Sequence, residues 1–115
     1  VVTHHKIIFI EELKNLQNLK SLFLFNNQIK NLEGIETLKN LEQLYVQCNQ
    51  IESIRSIEKL INLKEVYVNQ NRLLSLEGLT EQHSDKLTNF FCKPNDLLKQ
   101  KEIIRVEREL GILCR

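Results

Sequence analysis

The sequence predicts an α/β solenoid, in which stacked coils form a parallel β-sheet on one side and short helical or 3₁₀ turns on the other. Two observations predict it: a unit of 22 residues occurs three times, and each copy has an asparagine at the same place. The copies are "NLKSLFLFNNQIKNLEGI" from residue 18, "NLEQLYVQCNQIESIRSI" from residue 40 and "NLKEVYVNQNRLLSLEGL" from residue 62. Stacked coils bury a core that no single coil could form. A chain of 115 residues is long enough for one such domain and too short for two.

The apolar residues of each copy follow a fixed pattern. If Leu19 is position 1, then positions 1, 4, 6, 11, 14 and 17 are aliphatic in all three copies. Positions 4 and 6 alternate as in a β-strand, so we expect them to face the core while position 5 faces the other side of the sheet. Steps of three on the return side, as in Ile35, Leu38 and Leu41, predict short helical or 3₁₀ turns. A heptad does not fit, because the apolar spacings mix 2, 3 and 5 within the unit.

Position 9 is an asparagine in every copy, at the point where the chain turns off the strand. An asparagine amide offers donors and an acceptor, so it can bond to backbone groups of adjacent coils that the turn leaves unpaired. We therefore predict a buried structural column of Asn27, Asn49, Asn71 and Asn95. Gly34, Ser56 and Gly78 share position 16, where a small residue or a positive φ is expected.

The repeat is predicted to occupy residues 1–95, in about four to five coils. Subtracting 22 from the first copy places Val2, His5 and Ile7 in a first coil that is truncated within its strand. Upstream sequence, a partner or self-association is expected to protect that end of the solenoid. After the third copy the period lengthens by two, and Leu87 and Phe90 then restore the pattern.

Residues 96–115 are predicted to form a C-terminal capping helix and tail. The preceding "KPND" contains a turn signal, and Asn95 and Asp96 offer a helix cap. Ile103 and Val106 share one helical face, and Gly111 is a typical helix stop. A solenoid needs such a cover, since an open end exposes apolar surface and a strand edge.

The phrases "NQIKNLEGIETLKNLEQLYV" and "LEGL" resemble the 22-residue class of leucine-rich repeats, typified by the nuclear regulatory subunit of protein phosphatase 1 and the outer-arm dynein light chain. The resemblance implies a right-handed solenoid with a concave parallel sheet and a binding rather than catalytic role. It also suggests a phosphatase or motor subunit as partner. Secreted internalins share the period, but they typically carry a proline on the return side that all three copies here lack. The resemblance therefore favours an intracellular protein, in the cytoplasm or the nucleus.

Position 5 is aromatic in four successive strands, so Phe23, Tyr45, Tyr67 and Phe91 are predicted to stand in a row on the concave face. A contiguous aromatic strip is typical of a protein-binding surface, because Tyr and Phe supply large area at low entropic cost. The full predicted surface comprises Phe23, Phe25, Tyr45, Gln47, Lys64, Glu65, Tyr67, Asn69, Phe91 and Lys93. Two alternatives stay open: the row stabilises the sheet, or the chain is an architectural segment of a larger repeat protein.

Composition and motifs point away from other functions. A net charge of +1 does not favour a nucleic-acid or membrane-surface protein. Cys48, Cys92 and Cys114 are odd in number and lack a CxxC spacing, which favours reduced thiols over a disulfide scaffold or a zinc site. His4 and His5 are predicted on opposite faces and His83 in a distant loop, so no metal site is expected. No catalytic or nucleotide-binding motif stands out, and we predict a non-enzyme without a cofactor.

Overall fold

The predicted α/β solenoid is confirmed by a computed structural model, which describes Leu13 and residues 15–115. Within these residues, four three-residue strands form a parallel sheet in chain order: β1 Ser21–Phe23, β2 Gln43–Tyr45, β3 Glu65–Tyr67 and β4 Asn89–Phe91. Three 3₁₀ turns lie between and after them, Ile35–Thr37, Arg55–Ile57 and Glu81–His83, and the helix α1 spans Gln100–Leu110. The predicted truncated coil, with His4 and His5, lies outside the described residues.

The strand register follows the sequence period. Leu22 pairs with Leu44 and Leu44 with Val66, which are steps of 22, whereas Val66 pairs with Phe90, a step of 24. In each strand the central residue is buried and its two neighbours are half-buried. The alternation of a β-strand therefore sends position 4 into the core and leaves positions 3 and 5 on the concave face.

Each asparagine at position 9 bonds to the backbone of its own coil and, where a coil precedes it, to that coil. The Asn49 amide nitrogen donates to Val46 O at 2.9 Å and to Leu24 O at 3.0 Å, and its oxygen accepts from Ile29 N at 3.0 Å. Asn71 and Asn95 also bond across coils, and all four asparagines are nearly buried. These side chains satisfy backbone groups that the turn removes from the strand ladder.

Asn49→Ala is expected to lower the free energy of unfolding by about 2–3 kcal/mol, because it leaves buried groups of two coils without partners. Urea unfolding followed by circular dichroism measures the change. Asn62→Ala is the matched control: Asn62 donates one exposed hydrogen bond, to Lys39 O at 3.1 Å, and its loss is expected to cost under about 1 kcal/mol. Equal effects of the two substitutions would contradict a structural role for the column.

The residue before each repeat asparagine has a left-handed backbone, which the sequence analysis did not predict. Asn26 and Cys48 have φ of 61° and Gln70 has φ of 57°. This conformation is uncommon for residues other than glycine. Gly34 and Gly78 also have positive φ, at 98° and 119°, as position 16 suggested. At that position Ser56 instead lies inside a 3₁₀ turn that begins at Arg55.

The C-terminal segment differs from the prediction in two ways. Helix α1 begins at Gln100, after Lys99, so the predicted cap at Asp96 is wrong. Asn95 is engaged in the asparagine column and cannot cap the helix. Beyond Gly111, which ends the helix in a left-handed conformation, the chain returns to the sheet rather than leaving it as a loose tail.

The returning tail pairs with β4 in parallel. Cys114 lies opposite Phe90, Arg115 N donates to Phe90 O at 2.9 Å, and the amides of Cys92 and Lys93 donate to Arg115 O at 2.8 and 2.9 Å. The step from Phe90 to Cys114 is again 24 residues, as from Val66 to Phe90. Helix α1 is therefore the return segment of the fourth coil as well as its cover, and the tail enters the position of a fifth strand.

Candidate functional site

The four aromatic residues at position 5, which we call the aromatic row, stack on one another across the concave face. Ring centroids are 4.6 Å apart between Phe23 and Tyr45, 4.1 Å between Tyr45 and Tyr67, and 4.4 Å between Tyr67 and Phe91. The central pair is nearly parallel, with an interplanar angle of 17°. Strand spacing in a parallel sheet, about 4.8 Å, sets these distances. Each ring is half-buried, so the row exposes a continuous apolar strip.

Arg115 extends the aromatic row at its C-terminal end. Its guanidinium carbon lies 6.0 Å from the centroid of the Phe91 ring, within cation–π range. Sequence reasoning missed Arg115, although Arg115 follows Phe91 by 24 residues, the same step that separates Phe91 from Tyr67. Lys93, also exposed, lies on the neighbouring column of the same end. The row therefore has an apolar N-terminal end and a basic C-terminal end.

A polar column runs along the position-3 side of the aromatic row. Ser21 Oγ donates to Gln43 Oε1 at 2.6 Å, and Gln43 Nε2 donates to Glu65 Oε1 at 2.5 Å. Next to it, Lys64 Nζ lies 3.4 Å from Glu42 Oε1. Lys64 and Glu65 were predicted for this surface, whereas Ser21 and Gln43 were not. These contacts hold the side chains of one edge in a fixed arrangement.

The position-7 column carries Phe25, Gln47, Asn69 and Lys93, on the other side of the aromatic row. Gln47 Oε1 and Asn69 Oδ1 are buried and have no hydrogen-bond partner. Buried acceptors without partners are uncommon in native proteins, and each costs free energy. The structure thus brings all ten predicted residues to one face, with unsatisfied polar capacity next to the rings.

The tyrosines of the aromatic row remain protonated at neutral pH. Partial burial and then the Glu65 carboxylate raise the pKa of Tyr45 to about 12. Its hydroxyl group is therefore a neutral donor and acceptor, not an anion. The strip offers apolar ring area with hydroxyl groups, which suits contact with another protein better than acid–base catalysis.

The prediction that His83 lies in a loop, distant from other groups, is wrong. His83 is fully buried at the end of the third 3₁₀ turn, where Nδ1 accepts from Thr80 N at 3.0 Å. Its Nε2 lies 3.1 Å from Ile57 O, so the neutral Nε2–H tautomer satisfies both contacts. His83 joins the third return segment to the second and is a structural residue. Burial lowers the pKa of its imidazole below the ordinary value of 6.5.

The burial of neutral His83 predicts a loss of stability in mild acid. An unfolded histidine takes up its proton near pH 6.5, while folded His83 resists protonation, so stability falls as the pH drops below about 6.5 toward the folded pKa. Glu102, whose pKa is lowered chiefly by its hydrogen bond from Arg105, loses its contribution only nearer its ordinary value of 4.5. Urea unfolding at about pH 7.5 and 5.5 should show a smaller difference for His83→Gln than for the native chain. An unchanged difference would contradict the buried neutral imidazole.

Other candidate sites offer less. A depression of about 380 Å³ on the return side is lined by charged residues of both signs, among them Glu33, Arg55 and Lys59, and by no aromatic residue. Within Leu13 and residues 15–115, histidine, cysteine and acidic side chains nowhere gather in the threes that could hold a metal ion. None of the helices in this part of the chain has the length and apolarity needed to cross a bilayer.

Solved structures share this fold. Internalin C2 of Listeria monocytogenes superposes with a TM-score of 0.83 at 23% identity, covering 96% of this chain and 47% of its own. The internalin inlF of the same species gives 0.76 at 23% identity, covering 99% and 32%. At this identity the likeness shows the fold alone, and our chain spans less than half the length of either internalin. They do not test the prediction of an intracellular protein.

Sequence comparison assigns the family. No curated protein matches the chain. The family model described as leucine-rich repeats (2 copies) matches residues 17–59 and, in an overlapping register, residues 39–81. Together the two matches span more than half of the 115 residues and include β1, β2 and β3. The chain therefore belongs to the leucine-rich repeat family.

Proposed function

We propose that this chain is a non-enzymatic protein-binding module, and that its partner docks on the aromatic row and the polar columns beside it. Leucine-rich repeat domains are generally protein-interaction modules. The observation that carries the proposal is the unbroken stack of half-exposed rings from Phe23 to Phe91. A partner that covers the row buries apolar ring area, at about 25 cal/mol for each Å² removed from water.

Preorganisation of the rings supports the proposal. Each ring of the row is held by a neighbouring ring, at 4.1–4.6 Å, so its rotamer is largely fixed before a partner arrives. Fixing side chains on binding costs about 0.5–1.5 kcal/mol for each rotamer-rich residue, and a prearranged surface avoids most of that cost. The same stacking that stabilises the sheet therefore also favours binding, and the two interpretations of the row are compatible.

The flanking polar residues would orient the partner. Gln47 Oε1 and Asn69 Oδ1 lack partners, and a small side-chain rotation would present them to donors of a bound protein. Lys93 and Arg115 give the C-terminal end of the surface a positive potential, whereas Glu65 and Glu42 lie along the opposite edge. Such a charge pattern sets orientation and association rate more than affinity.

The finer identity of the partner follows from the sequence resemblance alone. Similarity to the 22-residue class suggests a phosphatase or a motor subunit as partner and an intracellular location. The cytoplasm or nucleus is accordingly the compartment we propose.

A paired pull-down from cell extract tests the proposal. The native chain is compared with Tyr45→Ala/Tyr67→Ala, which removes the two rings at the centre of the row and should release any protein that the row binds. We expect at least a tenfold loss of the retained protein, equivalent to about 1.4 kcal/mol, because truncating central aromatic residues commonly costs more than this. Circular dichroism establishes that both baits are folded.

Ile61→Ala/Leu74→Ala is the matched control. These two apolar side chains are 43% and 56% exposed and lie outside the strands, so the variant removes exposed apolar area away from the concave face. We expect it to retain the same proteins as the native chain. Loss by both variants, or by neither, would mean that the row is structural and would favour the architectural alternative.

A further inference from the structure

Two cysteines that are far apart in sequence meet at the C-terminal edge of the sheet. Cys92 follows β4 directly, and Cys114 lies in the returning tail, opposite Phe90. Both side chains are buried, at 0% and 3% exposure. The backbone is fixed on both sides of the pair, because Cys92 N donates to Arg115 O at 2.8 Å and Arg115 N donates to Phe90 O at 2.9 Å.

The two thiols are hydrogen-bonded to each other, and Cys114 is the donor. The bond lowers the pKa of Cys92 and raises that of Cys114 above its ordinary value. The thiolate of Cys92 is thus the more accessible nucleophile of the pair. Cys48, by contrast, lies on the concave edge, and its thiol donates to Gln70 Oε1 at 2.6 Å.

We propose that Cys92 and Cys114 form a disulfide under oxidising conditions, and that this bond fastens α1 and the tail to the sheet. Neither residue's spacing in the sequence signals the pair, because the fourth coil and its helix separate the two cysteines. The fold brings their sulfur atoms into contact on the core side of adjacent strands. This inference is independent of what the concave face binds.

The oxidation is a two-electron thiol–disulfide exchange with a small disulfide such as glutathione disulfide. The Cys92 thiolate attacks one sulfur of the oxidant, forms a mixed disulfide and releases one glutathione thiolate. Cys114, after losing its proton to solvent, attacks the Cys92 sulfur and releases the second glutathione. Two protein thiols and one glutathione disulfide thus give one protein disulfide and two molecules of glutathione. Transient opening of the tail gives the oxidant access to the buried pair.

The expected consequence is a more stable C-terminal end. The disulfide closes a loop that contains the whole of α1, which restricts the unfolded chain. Loops of this size are associated with a rise in melting temperature of roughly 10 °C for a domain of about 100 residues. The bond also holds Arg115 beside Phe91, at the end of the aromatic row.

The test uses the full chain with Cys48→Ser, which leaves the pair as its only cysteines. The protein is incubated with glutathione disulfide and analysed by intact mass, alkylation of free thiols and thermal denaturation. We expect a mass decrease of about 2 Da, no alkylatable thiol in the folded or denatured protein, and a higher melting temperature that dithiothreitol reverses. Proteolysis should yield one disulfide-linked peptide containing Cys92 and Cys114.

Cys114→Ser in the same background is the control, and it should give at most a glutathione adduct on Cys92. The linked peptide from the parent protein assigns the bond even where this control folds poorly. Alkylatable thiols that persist after oxidation, a stable glutathione adduct on the parent protein, or disulfide-linked dimers as the main product would each overturn the proposal. So would an oxidised protein that melts at or below the temperature of the reduced one.

Discussion

Gly78→Ala is expected to lower the free energy of unfolding by about 3–5 kcal/mol, enough to unfold much of the population of a small domain. Gly78 has φ of 119°, which residues with a side chain rarely adopt. A Cβ there would lie 2.3 Å from Ile54 O and 2.9 Å from Arg55 Cα, so backbone of the preceding coil would have to move. Urea unfolding followed by circular dichroism measures the loss.

Gly111→Ala is the control for Gly78→Ala. Gly111 also has positive φ, at 68°, but a Cβ there meets nothing within 4 Å. The conformational cost alone, about 1 kcal/mol, is expected. If the two substitutions destabilised the chain equally, the close approach of the second and third return segments would be wrong.

Deleting residues 96–115 is expected to abolish cooperative unfolding and to cause aggregation. The deletion removes four buried apolar side chains, those of Ile103, Val106, Ile112 and Cys114. It also removes the carbonyl to which Cys92 N and Lys93 N donate, so β4 becomes an open edge next to exposed core. Thermal denaturation and light scattering would show a broad, irreversible transition in place of a sharp one.

Two point variants in α1 separate the covering role of the helix from its mere presence. Val106 is fully buried, so Val106→Asp places an unpaired carboxylate in the core and should reproduce much of the effect of the deletion. Ile104 is 39% exposed on the same helix, and Ile104→Asp should change stability little. A deletion variant that is soluble and unfolds cooperatively would mean that α1 does not cover the core.

The sequence was sufficient to predict features that the period repeats. Leu22, Leu44 and Val66 are aligned by a spacing of 22 and pair in that register, and Asn49 recurs where each strand ends. Alternation along a strand then determines which residues share the concave face, so the aromatic row could be placed by counting. These predictions depend on local geometry that every coil repeats.

Features that depend on contacts between distant segments were not predicted. His83 resembles a loop residue until Ile57 O of the neighbouring coil is seen to accept from it. Asp96 resembles a helix cap, but the segment after Asn95 makes a turn before α1 starts at Gln100. The tail at Cys114 and Arg115 is too short to read as a strand, and only pairing with β4 identifies it.

The central claim is that another protein binds the concave face, and site-specific photo-crosslinking tests it most directly. A photoreactive phenylalanine analogue replaces Tyr67 in the middle of the aromatic row or, as control, Leu74 outside the strands. The analogue preserves an aromatic ring at position 67, so the row should stay intact. After irradiation in cell extract, we expect a discrete crosslinked product from position 67 and none from position 74. A product from position 74 alone, or from neither position, would contradict binding through the concave face.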